Sequence, residues 1–186
     1  MRTPKGKKYC SSEAELFQYK LGLKFISCPH CGRVGFLNGH GFLRGYAEFG
    51  QELVVRGRRF FCSNRYRRQG CGRTFSVLLA DVLFGFMVRA RTLWRFFQMV
   101  SNGLSRRAAW IRAGGSFSEQ SGYRLWRRLG KAQTPIRARL CRERSPPFSD
   151  TPDPLFQLLD HLRCVFPASS CPFSSFQSRF QTPLLG

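Results

Sequence analysis

Four cysteines limit the fold of this chain more than any other feature. Cys28-Pro-His-Cys31-Gly sets two thiolates two residues apart, and the glycine after them permits the tight knuckle that lets both grip one ion. A second pair has to complete the tetrahedron. Cys62 and Cys71 fit best, because each follows a β-prone run or adjoins a glycine, and Cys71-Gly72 repeats Cys31-Gly32. Their spacing is unusual: the eight residues Ser-Asn-Arg-Tyr-Arg-Arg-Gln-Gly intervene where an ordinary ribbon has two. Loop-closure cost rises only slowly with length, so the excursion is sterically easy. Four protein ligands leave no open position for water, and the expected ion is therefore a structural Zn²⁺. His30 and His40 are alternative ligands, and four buried free thiols are the bland alternative.

Around these cysteines the sequence reads as short strands. Residues 28–80 are rich in glycine, Asn38-Gly39 is a hairpin-turn signal, and Leu53-Val54-Val55 and Phe60-Phe61 are β-prone runs. Residues 1–27 form a basic lead-in ending in a short helix or extended segment. The expected fold is small α+β: a zinc ribbon at 28–80, a three-helix helix-turn-helix module at 81–144, and a Pro/Ser/Phe-rich, disordered tail at 145–186. Within that tail one short helix is expected at 155–162.

The helices follow from periodicity and stop signals. Phe86, Ala90, Leu93, Phe97 and Val100 recur as one amphipathic stripe, which Asn102-Gly103 ends. A second helix is expected at 105–113, burying Leu104, Ala108 and Ile111 and closing at Gly114-Gly115. The third opens on Ser116-Phe-Ser-Glu119, a capping-box pattern, and buries Leu125, Leu129 and Ala132. Trp94, Trp110 and Trp126 fall one to a helix and are expected in a shared aromatic core.

Charge decides what such modules would meet. The chain has 31 Lys and Arg against 10 Asp and Glu, a formal net charge of +21. Residues 77–145 alone hold 14 basic against three acidic residues, whereas 146–186 hold two against three. A polyanion is the expected partner. Membrane is disfavoured because no span of the ~18 apolar residues needed to cross a bilayer exists. The basic start at 1–8 is not followed by the apolar core of ~7–15 residues that a signal peptide needs, so the chain is expected in the cytoplasm, with its cysteines reduced.

The candidate nucleic-acid contacts are Arg65, Arg67 and Arg68 on the inserted loop, Arg106 and Arg107 at the start of the second helix, and Gln120, Ser121, Arg124, Arg127, Arg128 and Lys131 on the third. Arginine can read guanine edges bidentately and glutamine can read adenine. Contact with phosphates alone, and a merely solvated basic surface, are the competing readings. Cys10, Cys141, Cys164 and Cys171 are left over, and a second metal site from Cys141, His161, Cys164 and Cys171 is disfavoured because the tail is expected to be disordered.

Cys28-Pro-His-Cys31-Gly, Arg58-Arg59-Phe60-Phe61-Cys62, Gly70-Cys71-Gly72-Arg73-Thr74-Phe75-Ser76 and Gly103-Leu104-Ser105 together resemble the zinc-ribbon plus helix-turn-helix front end of bacterial insertion-sequence transposases and their accessory proteins. The resemblance spans about residues 25–135 and implies binding to DNA. The long second knuckle departs from that pattern. The catalytic domain of those transposases needs three separated carboxylates for two metal ions, but Glu143, Asp150, Asp153 and Asp160 crowd among prolines.

The functional expectation is a zinc-dependent binder of double-stranded DNA, an accessory or regulatory protein of the nucleoid that works beside a separate catalytic transposase chain. It is expected to be no enzyme and to take no small-molecule substrate. The alternative is an RNA-binding or ribosome-associated zinc ribbon whose Phe60, Phe61 and Tyr66 stack unpaired bases.

Overall fold

The β-prone runs of the cysteine-rich segment assemble as a meander of three antiparallel strands. The structure, a computed structural model, describes residues 8–46, 48, 52–114 and 118–185, and the chain divides into two units, Met1–Ala80 and Asp81–Gly186.

In the first unit β1 (Tyr9–Cys10) is followed by α1 (Glu13–Leu21), β2 (Leu37–Tyr46), β3 (Leu53–Cys62) and β4 (Thr74–Leu79). The sheet order is β1-β4-β3-β2, with β1 parallel to β4 and the other pairs antiparallel. The strands draw on Val54, Val55, Phe60, Phe61, Phe75 and Val77, residues that suit a pleated, half-buried surface.

The lead-in is built into this unit. Ser12 caps α1 by accepting from the Glu15 N–H at 3.1 Å, and the Glu15 carboxylate accepts in return from the Ser11 N–H at 2.6 Å, a capping box displaced by one residue. The helix lays Leu16 and Tyr19 on the sheet, where the Tyr19 ring meets Phe60 edge-on at 5.4 Å. Leu37, Phe60, Val77 and Leu79 complete the core of the unit.

Asn38-Gly39 is not a turn. Both residues lie inside β2, paired with Phe61 and Phe60, and the pairing slips between Gly39 and Gly41, leaving His40 as a bulge. Two strands of ten residues each, with Tyr46 opposite Leu53, push the connection out to 47–52. The glycines serve the bulge instead, since Gly41 has φ +137°.

The described residues of the second unit form five helices: α2 (Ala90–Ser101), α3 (Arg106–Arg112), α4 (Glu119–Leu140), α5 (Pro154–Val165) and α6 (Pro172–Phe180). The α2 stripe is as expected for Ala90, Leu93 and Phe97, which are buried, and for Val100, half-buried against the same core, whereas Phe86, also half-buried there, lies before the helix. Gly103, at φ +91°, ends the helix. Ser105 caps α3 by accepting from the Ala108 N–H at 3.3 Å.

The inward face of α3 differs from the expectation. Ala109 and Trp110 are buried, Leu104 and Ala108 are half-buried, and Ile111 is exposed. Trp110 sets this rotation by filling the space against Phe96, 5.4 Å away edge-to-face, and against Gly122 of α4, where an added Cβ would come within 3.1 Å of the indole. Trp94 and Trp126 are buried too, with Trp126 stacked on Phe97 at 4.9 Å, so the tryptophans line one aromatic core.

For α4, Ser116 lies outside the described residues, and the N-cap position is held by Ser118, whose side chain makes no capping hydrogen bond. Leu125 and Leu129 are buried and Ala132 half-buried, as expected. The helix then runs on through Pro135, because Ile136 and Leu140 are buried beyond it.

The largest correction concerns the tail. Residues 145–186, expected to be disordered apart from one short helix at 155–162, supply α5, which takes in that helix, and α6, so the described residues of this unit hold five helices where three were expected in its module. Two prolines of this Pro-rich segment are helix starters: Pro154 and Pro172 both stand in the first turn, where the missing N–H costs nothing. Asp153 caps α5 by accepting from the Leu155 N–H at 2.8 Å. Leu155, Leu158, Leu159 and Leu162 then face the core, and Phe173 and Phe176 of α6 join them. Phe173 packs against Trp94 at 5.0 Å and Phe97 at 6.1 Å. Gln177, fully buried, donates to the Val82 carbonyl and accepts from the Leu184 N–H, both at 3.0 Å. Among the described residues no helix is long and apolar enough to cross a membrane.

Candidate metal centre

Each cysteine pair is presented by a knuckle, and the two knuckles are built alike. In the first, the Cys28 N–H donates to the Arg33 carbonyl and the Gly32 N–H to the Cys28 carbonyl, both at 2.9 Å. In the second, the Cys62 N–H donates to the Arg73 carbonyl at 2.9 Å and the Gly72 N–H to the Cys62 carbonyl at 2.8 Å. Gly32 and Gly72 share φ +73°, a conformation that other residues rarely adopt. Cys-Gly-Arg thus closes both knuckles, at 31–33 and 71–73.

The eight-residue spacing is reconciled with this symmetry by a pinch. The Gly70 N–H donates to the Ser63 carbonyl at 3.0 Å, so Ser63 and Gly70 act as the two spacer residues of a normal pair while 64–69 loop out between them. The Ser63 N–H, in turn, donates to the Phe36 carbonyl at 2.8 Å. Gly70 is obligatory here: a Cβ would fall on the Ser63 carbonyl oxygen and lie 2.9 Å from the Cys62 sulfur. Gly70→Ala is therefore expected to weaken metal retention and to lower the melting temperature of this unit by several degrees, on the scale of about 1–3 kcal/mol for strain of this kind. Zinc content and thermal unfolding of the variant check this, and wild-type values for both would refute it.

The four sulfurs of Cys28, Cys31, Cys62 and Cys71 all lie within 4.8 Å of one another, close enough to hold a metal ion. Cys28 and Cys71 are 3.8 Å apart, as are Cys31 and Cys62. A tetrahedron with metal–sulfur bonds of about 2.3 Å has edges of about 3.8 Å, so the donor set and its spacing fit a tetrahedral thiolate-bound ion. All eight cysteines are free of disulfides. Backbone amides also support the sulfurs, with the His30 N–H 3.4 Å from Cys28 Sγ and the Cys71 N–H 3.3 Å from Cys62 Sγ.

Burial pushes the Cys28 thiol up and the Cys62 thiol up to about 12, whereas the Arg33 backbone amide draws Cys31 down to about 7. A bound cation reverses the cost of burying these thiolates and makes them ligands, at the expense of their protons.

Neither histidine joins the cluster. His30 donates from Nε2 to the Thr74 carbonyl at 3.1 Å, tying the first knuckle to β4, and His40 is exposed with its ring 5.7 Å from Phe61. Among the described residues Cys141, His161, Cys164 and Cys171 form no group able to hold a metal. His161 is buried and donates to the Arg144 carbonyl at 2.8 Å, while Cys171 is buried in the helical core.

The loop at 64–69 carries Arg65, Arg67 and Arg68, all exposed. The Arg68 N–H donates to the Arg65 carbonyl at 3.1 Å, and the two central residues, Tyr66 and Arg67, have φ +52° and +63°. Positive φ at both centres marks a type I′ turn, ordinarily built from Asn and Gly, and residues with a Cβ give up roughly 1–2 kcal/mol each to adopt it. Arg33 reaches across to donate to the Gln69 carbonyl, and Arg65 lies 5.9 Å over the Phe61 ring.

On α4 the side chains of Gln120, Arg124, Arg127, Arg128 and Lys131 are exposed and Ser121 is half-exposed. Arg128 leans over the Phe86 ring at 5.0 Å. Arg106 and Arg107 are exposed, but both are engaged: Arg106 sits 4.5 Å over the Trp126 ring, and Arg107 pairs with Glu119 at 2.7 Å. Spacing alone missed these two contacts, although Arg107 and Glu119 are legible as opposite charges at two helix starts. Of the rings proposed for base stacking, Phe60 is fully buried in the core, Phe61 is half-buried and Tyr66 is 95% exposed.

Set against protein-family models, curated proteins and solved structures, this chain matches none.

Proposed function

We propose that the protein is a zinc-dependent binder of double-stranded DNA, an accessory or regulatory component related to the front end of insertion-sequence transposases and acting with a separate catalytic chain at the nucleoid. The observation that carries this reading is the exposed cationic face of α4, with Gln120, Arg124, Arg127 and Lys131 at helical spacing and no acidic side chain among them. In the helix-turn-helix reading α3 and α4 are its two helices, and α4 is the one that enters the major groove. Arginine and glutamine at these positions suit guanine and adenine edges, and the loop arginines suit phosphates.

Zinc is the ion proposed, because four thiolates at tetrahedral spacing select it over harder cations. Its role is structural: with every coordination position taken by sulfur, none is left for a reacting water. That argues for binding rather than catalysis.

Fluorescence anisotropy with duplex DNA across a salt series tests the reading. Six to ten phosphate contacts predict a loss of about 10³–10⁵ in affinity between 50 and 200 mM salt. Replacing Arg124, Arg127 and Lys131 together by Ala is expected to reduce the salt slope by about three while the fold is kept. A flat salt response, or tighter binding to single-stranded RNA at the same salt, would sink it.

A further inference from the structure

We propose that the loop at 64–69 is a base-stacking finger: on the DNA-binding reading above, Tyr66 stacks on an unpaired base interrupting the duplex while Arg67 and Arg68 meet the flanking phosphates. The ligand class is duplex DNA that contains an unpaired base.

Tyr66 gives nothing to the fold, since its ring is 95% exposed at the tip of the turn. The loop that carries it is nonetheless held in place. The Ser63 and Gly70 pinch, the Arg33 contact with the Gln69 carbonyl, the Arg65 N–H 3.4 Å from the Ser63 hydroxyl and the Arg65 guanidinium over Phe61 fix both stems of the loop. Cys62 and Cys71 anchor those stems to the metal site. An aromatic ring on a preordered stem loses little freedom on binding, which favours its use as a contact.

The turn itself is costly for these residues. Tyr66 and Arg67 occupy the left-handed region where glycine or asparagine would be at ease, and strain kept at an exposed tip points to a contact made there. An intact duplex shows only base edges in its grooves, so a tyrosine face finds a stacking partner where a base is unpaired. Arg65, Arg67 and Arg68, all exposed, supply the positive field that backbone phosphates require.

The experiment compares one short duplex, intact or carrying a single unpaired 2-aminopurine, with the full-length wild-type chain and its Tyr66→Ala and Tyr66→Trp variants at fixed salt. The wild type is expected to bind the interrupted duplex about tenfold more tightly than the intact one, the order of one stacked base, and to quench the 2-aminopurine. Tyr66→Ala is expected to bring that ratio to about one and abolish the quenching, and Tyr66→Trp to keep both. A wild-type ratio near one, with steep salt-dependent binding of the intact duplex retained, overturns the finger and spares the DNA reading. Absence of salt-dependent binding to the intact duplex overturns the DNA reading beneath it. Tighter binding of single-stranded RNA of the same sequence overturns both in favour of an RNA partner.

Discussion

A strong zinc chelator is expected to unfold the cysteine-rich unit and leave the helical unit standing. Among its described residues the first unit has one α-helix, one turn of 3-10 helix, a four-stranded sheet and a small core that includes Tyr9, Leu16, Tyr19, Leu23, Ile26, Leu37, Phe60, Val77 and Leu79. Metal binding at a structural four-ligand site supplies about 10–16 kcal/mol of apparent free energy, comparable with the whole stability of a domain, about 5–15 kcal/mol. Here it joins knuckles 31 residues apart between Cys31 and Cys62. Cys28→Ser and Cys71→Ser are expected to act as chelation does. Acid should as well: the Cys28 and Cys62 thiols, raised by burial, bind protons strongly, so retention of the ion weakens as pH falls. Amide NMR spectra recorded with and without chelator would separate the units, because the β-sheet resonances of 8–80 should collapse while the helical ones of 81–185 persist. A cysteine-rich unit that stays folded without stoichiometric zinc would refute this.

Deleting residues 146–186 is expected to unfold the helical unit. The deletion removes Leu155, Leu158, Leu159, Leu162, Phe173, Phe176 and Leu184 from the core and uncovers Trp94 and Phe97. At about 1.5–3 kcal/mol for each large apolar side chain, the loss exceeds what a domain of this size has in reserve. The single variant Leu158→Ala should cost about 2–5 kcal/mol, since that side chain is fully buried. Circular dichroism with thermal unfolding would decide: a truncated chain that still melts cooperatively at the wild-type temperature would show that α5 and α6 are dispensable. The result also bears on the proposed DNA binding, because the exposed face of α4 keeps its geometry only while the buried face, Leu125, Trp126, Leu129, Ile136 and Leu140, stays packed.

Local signals were legible where a short stretch of sequence suffices to define them. The α2 stripe from Ala90 onward, the stop at Gly103 and the start of α3 near Ser105 are each set by a short contiguous stretch of chain, and each stands close to where the residues suggest. Asn38-Gly39 misled because its local preference for a turn yields to ladder pairing with Phe61 and Phe60. The tail misled for a related reason. Its prolines were weighed as a composition, whereas Pro154 and Pro172 matter by position, and the leucines after Pro154 already carried helical spacing. Trp110 turned α3 away from the expected face because its indole had to fill the space that Gly122 leaves open. No periodicity in α3 alone carries that information.

Sequence alone singled out four cysteines able to hold an ion, since thiolate chemistry and the Cys-Gly knuckle are encoded within a few adjacent positions, while the structure left His30 and His40 out of the cluster. It also determined where positive charge accumulates and where it ends. Only the tertiary structure decided that Ser63 and Gly70 close a long insert into a normal knuckle, that Tyr66 stands clear of the protein, and that residues 155–185 complete a core. Those outcomes depend on contacts between residues far apart in the chain, whose free energy exists only once both partners are in place.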